Sequence, residues 1–139
     1  MPCIELKGRK IPLIYTTFEM LTIQKKLGNI NNAINATVGR NPEDEKDTKY
    51  WGSIGHIETL GTMIEILGNA GLRENGEAQD LKAEWVLTAI MPGQIGQYSD
   101  IVITTMTEGM QSEIPKEEKN TGPVDVTLEE LERKKEQTS

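Results

Sequence analysis

Apolar and polar residues alternate through Ile4-Glu5-Leu6-Lys7, Gly8-Arg9-Lys10 offers a turn, and Ile11-Pro12-Leu13-Ile14-Tyr15 resumes the apolar run, a pattern that predicts an N-terminal β-hairpin. Pro12 has no amide proton to give a ladder, so the second strand is expected at an edge. Thr16-Thr17-Phe18-Glu19 then has the spacing of a capping box, in which a Thr hydroxyl accepts from a first-turn amide and Glu19 reaches back. The helix it opens carries Phe18, Met20, Leu21, Ile23 and Leu27, places Lys25 and Lys26 in its last turn where cations suit the dipole, and ends at Gly28. Ile30, Ala33, Ile34 and Val38 keep helical spacing and predict a second, short helix. Residues 39–49 are polar and charged, contain an Asn-Pro pair, and read as a loop.

The clearest periodicity runs from Ile54 through Ile57, Leu60, Gly61, Ile64, Leu67 and Gly68, with Gly71 expected to close the helix. Glycine costs about 1 kcal/mol relative to Ala at an interior helical site. Glycines at 52, 55, 61 and 68 therefore predict the close approach of another backbone to the buried stripe. Leu72 to Gln79 reads as a polar loop and Asp80 as the N-cap of a helix over 81–91, with Leu81, Trp85 and Ala89 on one face. Beyond Pro92-Gly93, Ile95, Tyr98, Val102, Thr105 and Met106 fall in helical register. The β-branched run at 101–105 suits a strand as well, but its flanking lengths favour a helix. The expected fold is α+β and mainly helical: a small N-terminal hairpin, then about five helices, in a compact domain over 1–111. The expected core anchors are Phe18, Leu21, Ile57, Leu60, Ile64, Leu67, Trp85 and Val102. Residues 112–139 have too few apolar side chains to offset their ordering entropy and predict a flexible acidic tail, with a short helix at 127–135 around Leu128 and Leu131.

At 139 residues the chain is long enough for one self-sufficient core. Its 15 basic and 22 acidic side chains give a net charge of -7, which repels a phosphate backbone; nucleic acid is not an expected partner. Lys7, Arg9 and Lys10, and separately Lys25 and Lys26, are its local basic clusters. One cysteine, Cys3, excludes an internal disulfide and fits a reducing compartment. His56 is the sole histidine, so neither a Cys–His nucleophile pair nor a histidine-rich metal site can be assembled. Neither a dinucleotide-binding nor a P-loop glycine pattern occurs, and the carboxylates of Glu43-Asp44-Glu45 and Glu117-Glu118 lie in polar stretches that offer no burial to raise a pKa. No catalytic, cofactor or metal residue is assigned. With no leader segment and no apolar run near the ~20 residues needed to span a bilayer, an intracellular protein without membrane contact is expected. Met63, Met91, Met106 and Met110 fit either core filling or an adaptable docking surface. Met106 and Met110, nearest the tail, are the candidate partner-binding residues together with Leu128 and Leu131.

Lys10-Ile11-Pro12-Leu13-Ile14-Tyr15-Thr16-Thr17-Phe18-Glu19, the Leu27-Gly28-Asn29 break, Leu67-Gly68-Asn69-Ala70-Gly71, and Asp80-Leu81 with Glu84-Trp85 follow one another in an order that resembles the tail assembly chaperones of long-tailed bacteriophages and prophages. The resemblance covers about residues 4–114. It implies a non-enzymatic protein of the bacterial host cytoplasm, absent from the finished virion. Such a protein holds the tape-measure protein soluble and assists polymerisation of the major tail protein; self-association stays open. In many members of that family a ribosomal frameshift appends a second domain, and this chain is similar to the shorter, unshifted product. Two rival classes remain: a structural tail or head-to-tail joining protein, and a cytosolic acidic regulator or inhibitor.

Overall fold

The computed structural model describes residues 2–111. Two antiparallel strands, β1 (Cys3–Leu6) and β2 (Arg9–Pro12), are followed by helices α1 (Thr17–Leu27), α2 (Ile30–Thr37), α3 (Ile54–Glu74), α4 (Ala83–Thr88) and α5 (Ile95–Gln111), with a 3₁₀ turn at Pro92–Gln94. The fold is mainly helical α+β. Residues 1–109 form one compact unit; of the second, 110–139, only Met110 and Gln111 are described. Leu128, Leu131 and the expected tail helix lie outside the described residues.

The hairpin pairs Cys3 with Pro12, Ile4 with Ile11, Glu5 with Lys10 and Leu6 with Arg9. Its turn is Lys7-Gly8 rather than the expected 8–10, because a two-residue hairpin turn of this hand needs positive φ at both positions, and Lys7 (52°) and Gly8 (83°) supply it. Pairing therefore starts at Arg9, and β2 ends at Pro12 instead of reaching Tyr15. From there the chain turns onto the helices. The Leu13 amide still reaches the Pro2 carbonyl (2.9 Å), but the Ile14 amide donates to the carbonyl of Leu67 inside α3 (3.2 Å).

α3 is the central element, packed against β2, α1, α2 and α4. Ser53 caps its start, its hydroxyl accepting from the His56 amide (3.3 Å). The backbone approach expected at glycines 52, 55, 61 and 68 is not what those positions meet: Gly52 has open space within 4 Å, Gly55, Gly61 and Gly68 face side chains, and the close backbone is at Gly71. A Cβ at Gly61 would press on Leu87 and one at Gly68 on Leu81, while one at Gly71 would overlap the Pro12 carbonyl. Gly71 is thus buried inside the helix and does not end it: α3 continues to Glu74 and closes on Asn75, followed by Gly76 at φ 73°. Residues 72–74, read from sequence as loop, are helical, since Leu72 is fully buried.

α4 is shorter than the expected 81–91, and Asp80 does not cap it. Asp80 pairs instead with Arg9 (3.0 Å), and the first amide of the helix, that of Ala83, donates to Glu65 of α3 (2.8 Å). Asn69 of α3 grips Leu81, two residues before Ala83, from both sides, accepting from its amide (3.0 Å) and donating to its carbonyl (3.1 Å). Over 101–105 the helix prevails. Tyr98, Val102, Thr105 and Met106 share one buried face, and the Thr105 hydroxyl is satisfied one turn back at the Ile101 carbonyl (2.9 Å).

Leu60, Ile64, Leu67 and Val102 are core residues as expected; Ile57 and Trp85 are half-buried. Phe18 and Leu21 are not core: they are 63% and 46% exposed. α1 instead buries Ile23 and the carboxylate of Glu19. Ile4, Leu6, Ile11, Leu13, Met63, Leu72 and Leu81 are core residues as well.

Gly71→Ala is expected to cost about 3 kcal/mol or more, because a backbone carbonyl has to move. Gly93→Ala, with open space within 4 Å, should stay within about 0.5 kcal/mol of the parent. Urea midpoints of the two variants check this, and equal midpoints would show the hairpin to be loosely seated on α3.

Candidate functional site

α1 begins with the capping box read from sequence: Thr16 accepts from the Phe18 amide (3.2 Å), and Glu19 accepts from the Thr16 amide (3.0 Å) and hydroxyl. The second Glu19 oxygen takes the Arg73 guanidinium of α3 (2.9 Å), which also reaches Glu74 (3.1 Å). The hydrogen bond to Glu19, with lesser help from Glu74, raises the Arg73 pKa. The guanidinium carbon lies 5.9 Å from the centre of the Phe18 ring. At about 100° per residue, Leu21 is two positions from both Glu19 and Ile23 and so sits nearly opposite the buried ridge. Phe18, Met20 and Leu21 are large apolar side chains turned to solvent.

A second exposed apolar group stands at the start of α3. Trp51 is 54% and Ile54 75% exposed. The indole rests beside Gly39 and Gly96, where a Cβ would touch it, and its centre is 4.5 Å from the His56 ring. His56 is fully buried; its Nδ1 accepts from the Gly52 amide (2.9 Å), which leaves the proton on Nε2. Nε2 has no aligned partner among the described residues. Burial lowers the His56 pKa, and the Thr37 carbonyl beside the ring opposes that shift without cancelling it. His56 is therefore a neutral structural side chain that ties α3 to the loop before it.

That loop repeats every three residues. Asn41, Asp44 and Asp47 each accept, through the side chain, from the amide two residues on, at 2.9, 3.1 and 2.9 Å. Asn41 and Asp47 also bond each other across the loop (3.0 Å). The Asn41 amide and then the Lys49 backbone amide hold the Asp47 carboxyl below its ordinary pKa. A polar hollow of about 320 Å³ lies against the loop, bordered by Asn35 and Arg40.

Of the candidate partner-binding residues, Met110 is 54% exposed, whereas Met106 is buried in the core and is not available for docking. The periodicity that selected it also fits the inner face of α5, and the inner face wins. The N-terminal basic cluster is largely spent on the fold: Lys7 donates to Thr88 (3.0 Å) and lies 5.4 Å from the Trp85 ring centre, and Arg9 pairs with Asp80. Cys3 is free and exposed on β1. Among the described residues no three His, Cys, Asp or Glu side chains are grouped to hold a metal ion, and no helix is long and apolar enough to cross a membrane. Compared with protein families, curated proteins and solved structures, the chain matches none. Phe18, Leu21, Trp51 and Ile54 escape a reading of the sequence as surface residues. The available signal was that α1 carries apolar residues on more than one face.

The His56 geometry sets a pH dependence. Above about pH 6.5 both the folded and unfolded imidazole are neutral and contribute no slope. Below it the unfolded chain takes up a proton that the folded protein resists, so stability falls as pH drops, by at most about 1.4 kcal/mol per pH unit, until the lowered folded pKa is reached. Urea titrations at pH 7.5, 6.5 and 5.5 should show this loss in the parent protein. His56→Asn, less stable at pH 7.5, should lack that slope; an unchanged slope would place its origin elsewhere.

Proposed function

We propose that this protein is a non-enzymatic assembly chaperone of the phage tail type, which keeps a long helical tape-measure protein soluble in the host cytoplasm while tail subunits polymerise around it. The supporting observation is the outward face of α1. A folded unit with an apolar core still turns Phe18, Met20 and Leu21 to solvent, on a helix fixed at its first turn by a capping box and by the ion pair of the buried Glu19 with the partly exposed Arg73. Large apolar side chains clustered at a surface mark a contact with another macromolecule. Trp51 and Ile54 add a second apolar group, and Met110 is exposed as well. The same surface suits a holding role, because contacts made mainly by apolar side chains tolerate varied helical sequences.

Co-expression with the long coiled-coil protein encoded immediately downstream is expected to raise that protein's soluble fraction several-fold and to yield a co-purifying complex. Mass spectrometry of finished particles should lack this chain. Failure of both solubilisation and co-purification would end the chaperone reading, and stoichiometric presence in particles would favour a structural tail protein.

A further inference from the structure

Tyr50 to Ser53 fold into a turn of their own. The Ser53 amide donates to the Tyr50 carbonyl (2.9 Å), and the third position is Gly52 at φ 78°, where such a turn favours glycine. Because the turn closes on itself, it can move as one piece about Ser53, the cap of α3. One imidazole holds it. The Gly52 amide donates to Nδ1 of His56 (2.9 Å), and the Trp51 and Tyr50 ring centres lie 4.5 and 6.5 Å from that of His56. Gly39 passes beside the same ring, and α5 meets the turn at Gly96 through the indole. The groups facing the imidazole are neutral: α2 presents the Thr37 carbonyl, and the turn presents Tyr50, whose hydroxyl is kept protonated by burial and by Glu43. No carboxylate or cation among the described residues bonds to the ring or alters its proton affinity.

We propose that His56 is the catch of an acid-operated latch: a proton taken up at Nδ1 releases the 50–52 turn from α3 while the rest of the domain stays folded. The neutral ring keeps its proton on Nε2, so its one basic nitrogen is Nδ1, and the Gly52 amide occupies it. A proton there sets N–H against N–H. Turning the ring over gives no relief, because both nitrogens of an imidazolium are donors. The closed turn also keeps water from the ring, so a charge favours the open form, in which ring and amide are hydrated. An exposed imidazole titrates near about pH 6.5 and the closed one lower. Above that pH neither form gains a proton and the latch stays shut. Below it the open form binds the proton first, and opening gains up to about tenfold per pH unit until the closed form also titrates. Opening lifts the indole off Gly39 and Gly96 and adds its inner face to the apolar group formed with Ile54. The latch stands apart from the α1 face and does not depend on the chaperone reading.

The chain has a single histidine, so imidazole proton signals report His56 alone. In the full chain, amide exchange followed by NMR and corrected for its intrinsic pH effect should show the protection of Gly52 falling about five- to tenfold between pH 7.5 and 5.5. Leu60 and Ile64 of α3 should stay at least about a hundredfold better protected, as local opening requires. Trp51 emission, isolated by Trp85→Phe, should dim and shift to the red at the midpoint of the His56 signals, with unchanged far-ultraviolet circular dichroism. His56→Asn, whose Oδ1 accepts from Gly52 and cannot titrate, should hold the protection of Gly52 constant over this range. If that variant does not fold, the coincidence of midpoints in the parent decides. A His56 titration that leaves Gly52 protected and dims Trp51 without a red shift would mean that the proton enters a closed turn, and overturns the proposal. So does loss of Gly52 protection without titration of His56, the same loss in His56→Asn, or loss of the helical signal at the same midpoint, which would make the event global unfolding.

Discussion

The arrangement of this fold turns on how closely the backbone at 12–15 approaches two helices. The Pro12 carbonyl occupies the place a Cβ would take on Gly71, and the Tyr15 carbonyl lies 2.6 Å from where a Cβ on Gly109 would stand. Between them the Ile14 amide, cut off from any strand partner, finds its acceptor in the Leu67 carbonyl. A buried amide without a partner would cost free energy comparable to a lost hydrogen bond, so the segment has few other seats. The contact between residues 12 and 71 closes a stretch of chain that contains all of α1 and α2. Where the hairpin sits therefore decides where those two helices start and return.

Much of this was legible in the sequence, and the reasons differ by element. The glycines of α3 announced a close neighbour because their helical cost needs a packing reason, although which of them meets backbone was not readable: Gly71 looked like a terminus because glycine so often is one. The hairpin and the long α5 followed from periodicity alone. α1 did not. Its capping box fixed the start, but apolar residues stand on both sides of it, and the residue that decides which side is inside is a carboxylate. Glu19 can be buried only because Arg73, 54 residues away, meets it, and that partnership is tertiary. The Asp80 misreading has the same origin, since Glu65 on another helix supplies the cap. Met106 was selected by position near the tail, where core and surface registers of α5 are indistinguishable until the helix is docked.

Among the described residues a carboxylate and an imidazole are buried, and they are accommodated in opposite ways. Glu19 is surrounded by donors: an amide, a hydroxyl and a guanidinium. That arrangement spans α1 and α3 and is directional, so it fixes the rotation of α1 about its own axis and with it the outward aim of Phe18 and Leu21. His56 has one amide and two aromatic rings for company, and it is held by packing rather than by charge. Interhelical orientation is entrusted to the strongly bonded group and loop anchorage to the weakly bonded one. The helix face is therefore the firmer of the two exposed apolar surfaces.

The seat of Trp51 gives the molecule an optical property. An indole tilted against an imidazole, with ring centres 4.5 Å apart, emits while that imidazole is neutral and is quenched when it gains a proton. Trp85, under the Lys7 ammonium at 5.4 Å, has no such neighbour and supplies a steady background. The intrinsic fluorescence of this chain thus carries a local signal from the junction of the 39–53 loop with α3, readable without a dye and separable from the emission of the α4 region.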